Sequence, residues 1–165
     1  MVILGYILLF LILALMYLSR KYSNSNKLIF NAGKKGCGKS TDICKNAMKD
    51  TQRGKMVFTT ERIPGTYYID PEDIGGYEFP ENSVIYIDEV GLVWHARDFK
   101  TFSKEVREWF KLQRHRKLTV HMYSQCFDID KGLRDLCDEI WLVKSYFNLF
   151  SVKSNYKTQR RRNSI

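Results

Sequence analysis

A glycine- and lysine-rich stretch, GKKGCGKS at residues 33–40, constrains the fold more than any other part of the sequence. It fits the pattern G-x-x-x-x-G-K-[ST] at every fixed position. Glycines let the backbone turn sharply, so that its N–H groups converge on the oxygens of a phosphate. The apolar run KLIFNA precedes the stretch, and a helix from about Ser40 to Lys49 is predicted to follow. The pattern therefore predicts a strand, a phosphate-binding loop and a helix in succession.

The residue types in this loop predict how a nucleotide is held. Lys39 is predicted to reach the β- and γ-phosphates, and the Ser40 hydroxyl to bind Mg²⁺. ATP and Mg²⁺ are the predicted cofactors, although no base-reading motif separates ATP from GTP. A chance glycine-rich turn is the alternative, and the strand before and the helix after it argue against that. The residues predicted to bind nucleotide are Gly33, Lys34, Lys35, Gly36, Cys37, Gly38, Lys39, Ser40 and Thr41.

A second motif, SVIYIDE at residues 83–89, has the form of a buried strand that ends in two carboxylates. Asp88 is predicted to hold Mg²⁺, and Glu89 to polarise the attacking water. Taken alone, the stretch also fits a half-buried strand that ends in a solvated acidic turn. With the phosphate loop upstream, it predicts an enzyme that hydrolyses ATP, because a glutamate beside the metal-binding aspartate indicates water as the acceptor.

The remaining segments alternate between strand and helix patterns. MVFTT at residues 56–60 is strand-like, and a helix is predicted near residue 101, capped by Thr101 or Ser103. A strand from Leu118 to Tyr123 precedes Gln125, which is predicted to sense the γ-phosphate; a plain strand-end amide is the alternative. A short helix and a closing strand or hairpin follow. The expected fold is an α/β P-loop NTPase of the RecA or ASCE-like class, with a mostly parallel sheet flanked by helices.

The N-terminal segment from Val2 to Leu18 contains no charged residue and no proline. A hydrocarbon core of ~30 Å needs about 20 helical residues, so the segment is at the short end of spanning length. A cleaved signal peptide is the alternative, but here the positive charges follow the apolar segment. We predict a single-pass anchor at 1–19 and a linker at 20–26, with the N-terminus outside and the following domain in the cytoplasm at the inner or plasma membrane.

The charge balance indicates polyanionic partners, since the net charge is +9. An ATPase domain is predicted over residues 27–152 and a disordered basic tail over 153–165. The tail is expected to contact DNA phosphates or anionic lipid, through Lys153, Lys157, Arg160, Arg161 and Arg162. The four cysteines form no C-x-x-C pair and have no zinc-ligand spacing with the histidines, which excludes a zinc site and suits reduced thiols.

Several of these motifs, in this order, resemble the zonula occludens toxin-like family, which includes the assembly ATPases of filamentous phages. The stretches that carry the resemblance are GKKGCGKST, VIYIDEVGLVWHARDF, REWFKLQRHRKLTVHMYSQ and IDKGLRDLCDEIWLV, and they cover about Lys27 to Lys144. The resemblance implies a motor ATPase of the DNA-pumping FtsK/HerA type. It also implies a homo-oligomer, with a hexamer as the family's ring, and extrusion of single-stranded phage DNA as coat and assembly proteins gather around it.

The same resemblance directs attention to Arg114 and Arg116, which lie between a helix and the strand that ends near Gln125. In a ring, either one could reach the neighbour's nucleotide as an arginine finger. A solvated basic turn is the alternative. The favoured function is a membrane-anchored ATPase that moves DNA during virion assembly. The alternatives are a nucleotide-dependent membrane scaffold with little turnover and, more weakly, a nucleotide kinase.

Overall fold

The computed structural model describes residues 2–21, 26–94, 103–126, 129, 131–146 and 150–156. The helices are α1 (Val2–Lys21), α2 (Lys39–Gln52), α3 (Val90–Val93), α4 (Lys104–Leu112) and α5 (Lys131–Leu136), with a 3₁₀ turn at Pro71–Asp73. The strands are β1 (Leu28–Ala32), β2 (Val57–Thr59), β3 (Tyr67–Tyr68), β4 (Val84–Ile87), β5 (Thr119–Ser124), β6 (Glu139–Tyr146) and β7 (Phe150–Asn155).

The strands form one seven-stranded sheet in the order β3-β2-β4-β5-β1-β6-β7. Every neighbouring pair is parallel except β6 and β7, which are antiparallel. The α/β class and the mostly parallel sheet predicted from the sequence are therefore confirmed. Because the carboxyl ends of parallel strands meet at one edge, the segments that follow β1, β2, β4 and β5 gather there.

Both faces of the central strands are buried, which explains why their sequences are continuously apolar. On one face, Phe30 and Ile85 belong to the same apolar cluster as Trp109 of α4 and Leu133 of α5. On the other face, Ile43 and Ala47 of α2 cluster with Val57, Val84, Tyr86 and Tyr123. All four residues of β4 are buried. This double burial fixes the strand that leads to the paired carboxylates.

Local signals set several element ends. The Ser103 side chain caps α4 by accepting a 3.3 Å hydrogen bond from the Val106 N–H, as one of the two predicted caps requires. Thr101, the other, lies outside the described residues. The boundary predicted at residue 153 falls within β7, which continues to Asn155 through pairing with β6 and includes Lys153. The predicted tail charges from Lys157 to Arg162 lie outside the described residues.

The N-terminal apolar segment is helical, as α1. Its described side chains, from Gly5 to Leu18, are all exposed except Ala14, which is half-buried. Within the part of the chain that the structure describes, no helix combines the length and the apolar character of a membrane span. The predicted linker at 20–26 includes residues 22–25, which are outside the described residues.

Candidate functional site at the phosphate loop

The loop between β1 and α2 turns on two glycines with left-handed backbone angles. Gly36 has φ 77° and Gly38 has φ 90°, a region where residues with a Cβ are disfavoured. The loop begins with the Gly33 N–H donating a 3.0 Å hydrogen bond to the Ser124 carbonyl, which ties it to the end of β5. Successive turns of this kind direct backbone N–H groups inward, which suits an anion at the start of α2.

Lys39 is buried within this loop. Its side-chain ammonium donates hydrogen bonds to the carbonyls of Gly33, at 2.9 Å, and Lys34, at 3.4 Å. Its exposed fraction is only 6%, whereas Lys34, Lys35 and Gly36 are exposed. A positive charge therefore lies under the loop, where the phosphates of a nucleotide are expected. Thr41 lies in the first turn of α2 and is exposed.

The structure brings Ser40 and Asp88 together although they are 48 residues apart in sequence. The Ser40 hydroxyl donates a 3.4 Å hydrogen bond to a carboxylate oxygen of Asp88. The Asp88 backbone N–H donates to the Thr60 hydroxyl at 2.9 Å, and the other carboxylate oxygen of Asp88 accepts from the Glu89 N–H at 2.9 Å. These contacts fix the carboxylate so that one oxygen faces α2.

The Ser40 hydroxyl and the Asp88 carboxylate suit a magnesium ion that is also coordinated by phosphate oxygens. Mg²⁺ prefers oxygen ligands and takes few of them from the protein. Among the described residues, no group of three His, Cys, Asp or Glu side chains is arranged to hold a metal ion by itself. The donor set therefore suits Mg²⁺ only together with a nucleotide.

Glu89 and Gln125, assigned to catalysis and phosphate sensing, are also in contact. The Gln125 side-chain amide donates a 3.0 Å hydrogen bond to the Glu89 carboxylate. Glu89 has φ 47°, a left-handed conformation that is uncommon for a residue with a side chain. Such conformations recur at functional sites, where the surrounding structure holds them in place. Strand β5 lies between β1 and β4, so Gln125 emerges between the phosphate loop and Glu89.

A third carboxyl group, Glu61, is part of this edge and is absent from the sequence prediction. Burial, the hydrogen bond with Asp88 and the charges of Asp88 and Glu89 together raise the pKa of Glu61. It follows β2, the strand next to β4. The polar residues directly after the MVF run could have indicated it, because parallel strands end at a common edge.

The two candidate arginines lie elsewhere. Arg114 and Arg116 precede β5, and the Arg114 guanidinium forms an ion pair with Asp138. Asp138 in turn accepts a 2.9 Å hydrogen bond from the N–H of Leu28, at the amino end of β1. This is the edge of the sheet opposite the phosphate loop. Within one chain, neither arginine is therefore brought to the loop, and the finger role stays a prediction about a neighbouring copy.

Strand β7 adds contacts to the loop that sequence reasoning missed. The Ser151 hydroxyl donates a 2.6 Å hydrogen bond to the Cys37 carbonyl. Lys153 forms a 2.5 Å ion pair with Asp42 in the first turn of α2. Asp42 also accepts a 2.7 Å hydrogen bond from the Tyr123 hydroxyl. The loop and the start of its helix are therefore supported by a strand that is distant in sequence.

No family model matches the chain, and no curated protein matches it in sequence. Solved structures do match. The N-terminal domain of zonular occludens toxin from Neisseria meningitidis has a TM-score of 0.62 and 20% identity, covering 80% of this chain and 84% of that one. The genome packaging NTPase B204 of Sulfolobus turreted icosahedral virus 2, in complex with AMP, has a TM-score of 0.58 and 14% identity over 76% and 78%. This chain has the same fold as these two proteins.

A third solved structure extends the comparison beyond viruses and toxins. The flagellar accessory protein FlaH from Methanocaldococcus jannaschii has a TM-score of 0.59 and 13% identity, covering 84% of this chain and 83% of that one. At such low identity the likeness concerns the fold alone. The B204 structures also include complexes with ATP-gammaS and AMPPCP, with TM-scores of 0.56 for each.

Proposed function

We propose that the chain binds ATP with Mg²⁺ at the phosphate loop and hydrolyses it. One relationship carries the proposal: the Ser40 hydroxyl meets the Asp88 carboxylate at 3.4 Å, beside Glu89, which is itself hydrogen-bonded to Gln125 at 3.0 Å. These side chains come from three elements of the sheet edge. They converge on the start of α2, where the loop amides and Lys39 offer positive charge. The B204 complexes support the proposal by analogy of fold.

The residues divide the reaction between them. The loop amides and the Lys39 ammonium bind the phosphates, which requires the ammonium to exchange the Gly33 and Lys34 carbonyls for phosphate oxygens. Mg²⁺, when bound, neutralises charge on the β- and γ-phosphates. Glu89 orients a water molecule for attack and accepts its proton. Gln125, which donates to Glu89, has a second amide hydrogen with which to contact the γ-phosphate.

Two variants test this assignment. Lys39→Ala removes the buried ammonium and is expected to abolish binding of Mg-ATP. Glu89→Gln keeps the size of the side chain but cannot accept the proton, so it should bind ATP normally and lose turnover. Binding is measured by calorimetry and turnover by phosphate release. Turnover in Glu89→Gln equal to that of the wild type would contradict the assignment.

For the biological role, we propose a membrane-anchored, oligomeric motor that translocates single-stranded DNA during assembly and extrusion of a filamentous phage. The exposed apolar side chains of α1 support the anchor, because such a surface favours lipid over water. The net charge of +9 supports a polyanionic partner. The zonular occludens toxin domain and the viral packaging NTPase have the same fold, which suits a motor acting on viral DNA.

This role is tested separately from the chemistry. The full chain is expected to remain with membranes after alkaline carbonate extraction, and a variant without residues 1–21 to be released. Single-stranded DNA is expected to stimulate ATP turnover, with a binding constant that falls steeply as salt rises. A scaffold with little turnover would show no stimulation. Normal virion release from the Lys39→Ala variant would exclude the motor role.

A further inference from the structure

A cavity of about 640 Å³ opens beside the phosphate loop at the carboxyl edge of the sheet. The cavity is lined by the loop from Gly33 to Cys37 and by the end of β6 from Leu142 to Tyr146. Gln125, which contacts Glu89, lines the cavity as well. Cavities of roughly 300–1,000 Å³ are usual for ligands of nucleotide size. The cavity therefore runs from the γ-phosphate sensor, past the loop, to the end of β6.

Strand β6 extends beyond the strand it pairs with. The last residue of β1, Ala32, pairs with Leu142, whereas β6 continues to Tyr146 and keeps β7 as its neighbour on the other side. Among the described residues, no strand pairs with the end of β6 on the side of the loop. An added Cβ at Gly33 would lie 2.6 Å from the Val143 carbonyl oxygen, so this carbonyl faces the loop.

The direction of the Val143 carbonyl also fixes the direction of the Ser145 backbone N–H and C=O groups. Backbone groups of successive residues point to alternate sides of a strand, so residues two apart point the same way. Ser145 therefore directs its N–H and C=O toward the cavity. This pair of groups offers one donor and one acceptor, which suits the hydrogen-bonding edge of a purine base. Next to it, Tyr146 lines the cavity and is 45% exposed.

We propose that the β6 end of this cavity binds the nucleobase of the nucleotide held by the phosphate loop. The Tyr146 ring stacks on the base, and the Ser145 backbone hydrogen-bonds its edge. The inference rests on the proposed function, since the base enters only with its triphosphate. The triphosphate then lies along the loop, with its γ-phosphate at Gln125 and its base at Tyr146.

The test separates base binding from phosphate binding. Affinities of the full chain in detergent are measured by calorimetry for Mg-ATP and for Mg-tripolyphosphate, which lacks base and ribose. Removal of a ring that stacks on a base weakens binding roughly five- to hundredfold. Tyr146→Ala is expected to lose about tenfold in affinity for Mg-ATP and to keep its affinity for Mg-tripolyphosphate. Tyr146→Phe retains a ring and is expected to bind Mg-ATP as the wild type does.

The matched control is Tyr68→Ala, which removes a ring of similar exposure, 52%, from β3 at the other edge of the sheet. It should leave both affinities unchanged. Wild-type Mg-ATP affinity in Tyr146→Ala would overturn the base site and leave the proposed ATPase intact. An equal loss for both ligands would also overturn it, because the tyrosine would then act on the loop. Failure of the wild type to bind either ligand would instead overturn the proposed function.

Discussion

The Ser151 hydroxyl and the Cys37 carbonyl are joined by a 2.6 Å hydrogen bond across 114 residues of sequence. Cys37 is in the middle of the phosphate loop, and Ser151 is on the edge strand β7. An added Cβ at Gly38 would lie 2.7 Å from the same hydroxyl, so β7 lies directly against the loop. The shape of the loop therefore depends on the antiparallel edge of the sheet as well as on its own glycines.

The first prediction concerns this hydrogen bond. Ser151→Ala leaves the Cys37 carbonyl without its partner, and a hydrogen bond of this kind contributes about 1 kcal/mol. We expect the dissociation constant of Mg-ATP to rise about fivefold, with little change in turnover at saturating ATP. Val152→Ala, an exposed neighbour on the same strand, is the control and should bind ATP normally. Unchanged affinity in Ser151→Ala would show that the loop keeps its shape without β7.

The second prediction uses the crowding at Gly38. Gly38→Ala combines a left-handed φ of 90° with a contact of 2.7 Å to the Ser151 hydroxyl, whereas Gly54→Ala has a φ of 77° and open space around it. We expect both to lower the free energy of unfolding in urea, by about 1–2 kcal/mol for the backbone strain alone. Gly38→Ala should lower the free energy of unfolding more than Gly54→Ala does. Adding Ser151→Ala to Gly38→Ala should recover part of this difference. If it does not, crowding by Ser151 is not its cause.

The third prediction concerns His121 on β5, whose ring stacks on that of Tyr86 at 4.8 Å. Burial, reinforced by the positive charge of Lys153, lowers the pKa of His121 from 6.5 to about 4, against the opposing charges of Asp50 and Asp42. His121 therefore takes up a proton more readily in the unfolded chain than in the folded one. The stability that neutral His121 provides is complete above pH 6.5 and is lost as the pH falls toward 4.

We expect the free energy of unfolding to fall by about 1–2 kcal/mol through His121 between pH 7 and pH 5. His121→Phe keeps a ring against Tyr86 and removes the titration, so its loss over this range should be smaller by that amount. His115→Phe, at an exposed position in the turn before β5, controls for loss of a histidine. The measurement is urea unfolding at the two pH values. An equal loss of unfolding free energy between pH 7 and pH 5 in His121→Phe and in the wild type would contradict the prediction.

The fourth prediction separates the two candidate arginines. Arg114 is paired with Asp138, which also holds the first N–H of β1, so Arg114→Ala is expected to lower the free energy of unfolding by about 1 kcal/mol or less, because the guanidinium is half exposed. Arg116→Ala should leave stability unchanged. If Arg116 acts on a neighbour's nucleotide, its variant loses ATP turnover in the oligomer but keeps ATP affinity. If Arg114→Ala instead loses ATP turnover and keeps ATP affinity, while Arg116→Ala keeps both, the finger is Arg114.

Local patterns predicted the parts of the site that are local in sequence. The loop from Gly33 to Ser40 combines glycines and a following helix within a few residues, and the run before Asp88 indicates a buried strand by composition alone. The Ser103 cap is a contact over three residues. Because each of these features is encoded within one element, the fold class followed from them together with the alternation of strands and helices.

The features that the sequence did not reveal depend on which elements become neighbours. Ser151 and Lys153 reach the loop only because β7 folds back on β6. The sequence pattern predicts a closing strand or hairpin there and a basic tail from Lys153, but not the contact with the loop. Glu61 joins the carboxylates because β2 lies beside β4. Arg114 finds Asp138 at the opposite edge of the sheet. The apolar periodicity of a single segment cannot predict these contacts, because they depend on the order of the strands in the sheet.

The dependence of the loop on β7 has a consequence for biosynthesis. A ribosome releases the loop 114 residues before it releases Ser151. A nascent chain therefore carries the glycines and the lysine of the site well before the strand that braces them. The brace on the loop can therefore form only after the β6–β7 hairpin has been synthesised, near the end of translation.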